Sequence, residues 1–279
     1  MLSTVLEHIE FEHVRGIRVG WKYKPYTSSI VWRIGSTIID TGDAFHRRAV
    51  LDFCRSQPTQ NVLLTHHHED HSGNAYHIQQ QLGLGIYMHP EGIALAEYGF
   101  AMTFDRILIH GKPHRFTPLP LPTIIETETA VLHALHTPGH AIDHVCFLDK
   151  DRGQLFTGDM YVSSITQYLY AVEDAAEMLK SLDFLLQQDF STIICSHSAI
   201  IRNGRNKLQR KALYLHELQE KADTLYRQGQ TITAITNQLL GKETIVAYAT
   251  GYRFSKRNLI KSLIFGGLPQ NGMTKQHTT

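Results

Sequence analysis

The sequence predicts an α+β fold followed by a helical C-terminal part, on three observations. Short apolar, β-prone runs alternate with helix-like stretches up to about residue 204. Four of those runs end in side chains able to bind a metal. Beyond residue 204 the strand signals stop and only helical patterns remain, which places a boundary between a domain of residues 1–204 and a helical domain of residues 205–279.

Taken in order, Gly16-Ile17-Arg18-Val19-Gly20, Ser29-Ile30-Val31-Trp32-Arg33-Ile34 and Thr37-Ile38-Ile39-Asp40 read as strands of an antiparallel meander, separated by glycine-bearing turns. Residues 44–56 have helical spacing, and Pro58 closes them. The run Val62-Leu63-Leu64 ends in Thr65-His66-His67-His68-Glu69-Asp70-His71-Ser72-Gly73-Asn74, four histidines and two acids within a few residues. A strand ending in a polar loop can aim several side chains at one point. This stretch has donors suited to a borderline metal such as zinc. An expression tag would sit at a terminus. A helix follows over residues 75–82, with Ser72 as the expected N-cap, then a strand at Gly85-Ile86-Tyr87-Met88-His89-Pro90.

Residues 94–103 read as helical, and Pro113, Pro118, Pro120 and Pro122 prevent long regular structure after them. Phe100, Met102 and Phe104 are expected in an ordinary core, with a pocket lining as the alternative. Strands resume at residues 130–136 and break at Thr137-Pro138-Gly139-His140, a turn that again presents a histidine. Residues 145–148 and 154–156 are short strands, the second leading into Thr157-Gly158-Asp159. Residues 173–188 form an amphipathic helix with Met178, Leu179, Leu182, Leu185 and Leu186 on one face and Glu173 or Asp174 at its positive end. The strand Thr192-Ile193-Ile194-Cys195 ends at Ser196-His197-Ser198. Residues 206–227, 232–240 and 255–264 are helical, with Ser255 as N-cap and Gly266 as stop, and the last dozen residues read as disordered.

Composition narrows the functional class. The 279 residues, 42% hydrophobic and 19% charged, suffice for one large domain with an appendage. Eighteen histidines are many. Cys54, Cys146 and Cys195 make no paired framework, which fits a reducing compartment. With no secretory pattern at the N-terminus and no long apolar run, the expected location is cytoplasmic, without membrane contact. The net charge of +1 hides a basic segment: residues 201–279 hold about 13 Lys and Arg against about 4 Asp and Glu. Such a segment can contact phosphates, pair with the acidic remainder or be solvated.

The four strand ends, in this order, resemble the metallo-β-lactamase-fold hydrolase superfamily: His66-x-His68-x-Asp70-His71 matches its signature, followed by His140, Asp159 and His197. The resemblance runs from about residue 14 to residue 200, and the turn residues 137–144 with the helical C-terminus look closest to its glyoxalase-II-like hydrolases. It implies a four-layer αββα sandwich with two divalent metal ions, zinc by default and iron or manganese as alternatives. His66, His68 and His140 would hold one ion, and Asp70, His71 and His197 the other, with Asp159 bridging and His67 and Glu69 pointing away. The last ligand lies in Ser196-His197-Ser198, where the subgroup commonly has Pro-Gly-His-Gly. No long insert separates Asp159 from His197, which argues against the mRNA-processing branch.

Two metals ~3.5–4 Å apart acidify a shared water for attack on an acyl or phosphoryl centre. Asp70 is the candidate catalytic residue that orients the water and moves its proton. Asp143 and His144 either support the ligands or form a salt-bridged turn; Tyr161, Tyr168 and Tyr170 are expected to pack in the core or on the surface, with facing substrate after the Asp159 loop as the alternative. The expected substrate is a small ester, thioester or lactone. A nuclease or phosphodiesterase using the basic C-terminal segment and a signalling module with secondary metal chemistry are the alternatives, and self-association is left open.

Overall fold

The computed structural model describes residues 5–21 and 27–266. The expected disordered tail lies outside the described residues. The chain builds two facing sheets. The first contains β1 (Val5–Phe11), β2 (Val14–Gly20), β3 (Ser28–Ile34), β4 (Thr37–Ile39), β5 (Asn61–Leu63), β6 (Gly85–Met88) and β7 (Leu119–Pro120), side by side in that order. Its first four strands are antiparallel, as the glycine-bearing turns predict; β4 to β7 are parallel because helices intervene. Those helices are α1 (Arg47–Arg55), α2 (Glu69–Ser72), α3 (Ala75–Leu82), α4 (Pro90–Tyr98) and α5 (Phe104–His110).

The second sheet contains β8 (Ile124–Glu126), β9 (Val131–His136), β10 (Val145–Asp149) and β11 (Gln154–Gly158), then β13 (Thr192–Cys195) and β14 (Ala199–Ile201). A two-stranded piece pairs β12 (Leu169–Tyr170) with β15 (Phe254–Ser255). Helix α6 (Ala175–Leu186) crosses between β11 and β13 and makes them parallel. The chain closes with α7 (Gly204–Arg227), α8 (Ile232–Leu240), α9 (Ile245–Ala249) and α10 (Lys256–Phe265).

Three apolar clusters explain the layering. Trp32, Ile39, Leu63, Phe147, Phe156 and Ile194 fill the space between the sheets. Val50, Leu51, Cys54 and Ile78 pack α1 and α3 on the outer face of the first sheet. Leu182 and Leu185 of α6, with Leu208, Leu215 and Leu259 of α7 and α10, cover the second. Both faces of each sheet are thus occupied, and every residue of β3, β10 and β11 is buried. This is the four-layer αββα sandwich. The helices after residue 204 share one core with the second sheet.

Local expectations are corrected at three places. Ser72 does not cap the helix over residues 75–82: it ends the short α2, and Asn74 stands before α3 without a side-chain cap. The Ser72 hydroxyl instead donates to the His67 carbonyl. Of the helix expected over residues 94–103 only 94–98 is helical, as the end of α4: Gly99, with φ of 88°, stops it, and α5 begins beyond the expected range at Phe104. Strand β1 was not expected. Asp174, by contrast, caps α6 by accepting from the Ala176 and Glu177 amides, and Ser255 caps α10.

Among the described residues no helix is long and apolar enough to cross a membrane. Cys54, Cys146 and Cys195 are free and buried. Two cations of the basic segment are also internal: Lys211 is buried, and Lys256 donates to the Leu240 and Lys242 carbonyls. Neither is a surface contact for phosphate.

The shared core makes a stability test. Leu215→Ala, fully buried on α7, should cost about 2–5 kcal/mol of unfolding free energy. Leu213→Ala, 53% exposed on the same helix, should stay within about 0.5 kcal/mol. Urea denaturation measures both; equal effects would contradict the packing of α7 on the second sheet.

Candidate metal centre

All four strand ends converge at one edge of the sandwich. His66, His68, Asp70 and His71 come from the turn after β5 and from α2, His140 from the β9–β10 turn, Asp159 from the end of β11 and His197 from the end of β13. Backbone bonds tie the edge together across the two sheets: Val145 N–H donates to the Thr65 carbonyl and Ile30 N–H to the Ser196 carbonyl, both at 2.8 Å. Two glycines permit the turns. Gly139, at φ +132°, lies against the Met178 backbone, where a Cβ would collide. A Cβ on Gly158, at φ +47°, would sit 2.7 Å from His144 Nε2.

The donor atoms fall into groups that can each hold an ion: His66, His68 and His140; Asp70, His71 and His197; and, between them, His66, His71 and Asp159. Asp159 faces both sides, with Oδ2 3.4 Å from His140 Nε2 and Oδ1 3.3 and 3.0 Å from the Nε2 atoms of His71 and His197. His66 Nε2 and His71 Nε2 are buried without a hydrogen-bond partner. Buried nitrogens without partners are costly unless something else fills the space between them. The residues present therefore fit divalent ions.

A second layer turns each ring. His71 Nδ1 donates to Asp40 at 2.8 Å, His140 Nδ1 to Glu173 at 2.5 Å, His197 Nδ1 to the Ser28 carbonyl at 2.8 Å, and His66 Nδ1 approaches Thr65 Oγ1 at 3.0 Å. His68 is turned the other way, its Nδ1 2.9 Å from His140 Nε2. Such outer contacts fix tautomer and ring orientation. His144 Nε2 accepts from the Asp159 amide, and Thr137 Oγ1 meets the other ring nitrogen, so His144 braces the bridging acid. The serines flanking His197 both work: Ser196 donates to Asp40 and Ser198 to the Val162 carbonyl.

Electrostatics split the cluster. Burial, with the neighbouring His71 and His68, pushes His66 well below the ordinary histidine range. Burial opposes charge on His71 too, but Asp159, Asp40 and Asp70 outweigh it and hold its pKa well above the ordinary value. Asp70 is likewise opposed by burial, yet His71, His110 and His197 bring it down to about 2. The carboxylates are therefore ionised at neutral pH, as donors to a cation must be.

His67 and Glu69 stand outside the triads. His67 Nδ1 donates to buried Asp143 at 2.7 Å; Glu69 takes both arms of Arg106 at 2.6 Å. Tyr161 is buried, as expected, with its hydroxyl 2.9 Å from Ser164. Tyr168 and Tyr170 are not core or surface residues: they line a cavity of about 870 Å³ that opens onto His68, Asp70, His140, Asp159 and His197. Phe100 and Met102 line a smaller cavity beside His67, and Phe104 is 78% exposed. None of the three is in the core. The sequence reading missed Asp40, which obeys the same strand-end rule as Asp159, and it noted Glu173 only as a helix-terminal acid.

Two packed sheets between helical layers, with a buried His/Asp cluster at one edge, define an αββα sandwich with a candidate metal centre. The chain belongs to the metallo-beta-lactamase superfamily, whose family model matches residues 27–197. It is 29% identical over 202 residues to the lactamase-like protein notP of Aspergillus sp. (strain MF297-2), which covers 71% of this chain and 54% of that protein. It is 28% identical over 210 residues to the atrochrysone carboxyl ACP thioesterase of Passalora fulva, covering 72% of this chain and 53% of that protein. The chain thus spans about half the length of the curated relatives it matches. A beta-lactamase domain protein from Burkholderia ambifaria superposes with a TM-score of 0.71 at 16% identity, covering 94% of this chain and 89% of that one. That likeness is one of fold.

The cavity also holds Lys211, whose ammonium donates to the Met160 carbonyl at 2.6 Å. Burial pushes its pKa from 10.5 down to about 8, an effect that Glu173 and Asp159 only partly offset. Between those values the unfolded chain holds the proton and the folded one releases it, so stability should rise with pH across the window. Relative to Lys211→Met, the wild type should gain on the order of 3 kcal/mol between pH 7.5 and 10.5. Urea denaturation at several pH values checks this; a constant difference would refute the buried-amine reading.

Proposed function

We propose that the chain is a hydrolase with two divalent metal ions, zinc by default, that cleaves a small acyl thioester, with esters and lactones as related substrates. The observation that carries this reading is the two triads, His66/His68/His140 and Asp70/His71/His197, with Asp159 grouped with His66 and His71 between them and with buried ring nitrogens that have no other partner. His66, His68 and His140 would hold one ion, Asp70, His71 and His197 the other, and Asp159 would bridge. Nitrogen and carboxylate donors of this mix suit zinc. Relatives named as thioesterases support the choice of thioester.

When bound, the ions would polarise the acyl carbonyl and bring the pKa of water near neutrality. The chain's residues supply the rest. Asp70, its carboxylate 15% exposed and lining the cavity, would orient the attacking water and take its proton. Ile109, Val162, Ile165, Met178 and Val246 give the cavity an apolar lining that receives the acyl group and excludes competing water. Water adds at the acyl carbon, the C–S bond breaks, and the products are a carboxylate and a thiol.

Metal analysis of the purified protein should find two equivalents per chain, and thiol release from acyl thioesters should require them. Asp70→Asn should lower turnover by at least about 100-fold while the unfolding free energy stays near wild type; wild-type turnover would remove Asp70 from its role. Asp40→Asn keeps the shape of the second layer but not its charge, and should weaken zinc affinity about 10- to 100-fold in a chelator competition. Unchanged affinity would show that Asp40 does not tune the site.

A further inference from the structure

We propose that the smaller cavity beside His67 is a second binding site, for a small anion that carries a hydrogen-bond donor on an apolar body. Binding there needs no turnover, so it stands or falls apart from the hydrolase reading. The cavity holds about 210 Å³ and shares no lining residue with the larger one that opens onto the candidate metal centre. The histidine loop gives His67 and Ser72 to the first and His68, Glu69 and Asp70 to the second.

Three features define the ligand. The first is an oriented acceptor. His67 Nδ1 is held at 2.7 Å by Asp143, a fully buried carboxylate that makes no other hydrogen bond among the described residues. A carboxylate only accepts, so Nδ1 carries the proton and the neutral ring offers Nε2, which has no partner among the described residues, as an acceptor. The second is unopposed positive charge. Lys112 and Arg115 line the cavity without a hydrogen bond or ion pair among the described residues, and no acidic side chain lines it with them. The third is an apolar wall from Leu95, Ala96, Phe100, Met102 and Phe116. The cations are placed before any ligand arrives. The Phe116 amide donates to the Ala96 carbonyl at 3.3 Å, and the Gln79 side chain bonds the Thr117 carbonyl at 2.7 Å and the Thr117 amide at 3.3 Å. The segment that carries Lys112 and Arg115 is thereby tied to α3 and α4. The volume limits the ligand to a single ring or a short branched chain. A hydroxy acid of that size supplies all three counterparts: its carboxylate meets the cations, its hydroxyl donates to His67, and its carbon body covers the apolar wall.

The test is calorimetric titration of the metal-loaded full chain with three probes that differ by one group each. Para-hydroxybenzoate carries both polar groups, benzoate lacks the donor, and para-hydroxybenzamide lacks the charge. Para-hydroxybenzoate should bind saturably, with benzoate and the amide each about tenfold weaker. His67 lies between metal ligands, so its share is read from the loss of the probe's hydroxyl rather than by substituting the histidine. Lys112→Met combined with Arg115→Met, both exposed and safe for folding, should weaken para-hydroxybenzoate about tenfold and leave the amide unchanged. No saturable binding of para-hydroxybenzoate, or equal affinity for the three probes, would overturn the proposal. An affinity indifferent to the two substitutions would put the ligand in the larger cavity and overturn it too. Loss of hydrolysis in every assay, with the probe ranking and its dependence on Lys112 and Arg115 intact, would leave this site standing and remove only the hydrolase reading.

Discussion

The structure depends on one buried carboxylate. Asp40, 1% exposed at the end of β4, accepts from the Thr65 amide at 2.8 Å and the Thr65 hydroxyl at 2.9 Å, from His71 Nδ1 at 2.8 Å and from the Ser196 hydroxyl at 3.1 Å. Those partners sit at the end of β5, on α2 and after β13, so a single anion joins both sheets to the histidine cluster. An unpaired buried anion would be strongly destabilising, so these groups must be where they are for the fold to close. Asp40 itself has φ +63°, a left-handed conformation that Asp tolerates better than most residues. Backbone strain at this point is the cost of pointing the carboxylate inward.

That arrangement explains what the sequence could and could not reveal. The strand–helix alternation, the meander from β2 to β4 and the helices α6, α7, α8 and α10 were legible because each is long enough to show a period. The convergence of His66, His68, Asp70, His71, His140, Asp159 and His197 was legible because each follows an apolar run at a strand end. The two-residue strands β7, β12 and β15 carry no period and were not seen. The partners of the ligands, Asp40, Glu173 and the Ser28 carbonyl, are set by tertiary approach across up to 169 positions of chain. Asp40 alone had a local signal, since Thr37-Ile38-Ile39-Asp40 ends in an acid just as Thr157-Gly158-Asp159 does. The cavity position of Tyr168 and Tyr170 had only their place after the Asp159 loop as a signal, because Phe254, which meets both rings, arrives from β15.

The basic C-terminal segment also reads differently once folded. Its charge left phosphate contact, pairing with the acidic remainder and solvation open, yet Lys211 reaches into the cavity and Lys256 ties the Leu240 and Lys242 carbonyls together. Part of the positive charge is thus spent on internal carbonyls. The same helices supply Leu208, Leu215 and Leu259 to the core over the second sheet and Val246, Thr250 and Phe254 to the cavity. They are as much part of the cavity as the strands that carry the histidines.

Glu173 couples the cavity to the histidine cluster. Because one carboxylate accepts from both the Tyr170 amide and His140 Nδ1, an outward swing of the β12–β15 pair would pull on an imidazole of the candidate metal centre. Arg106 adds a second tether, since it ties α5 to buried Glu69 next to His68. The rim of the cavity and the histidine cluster are thus yoked together, so that displacing one displaces the other.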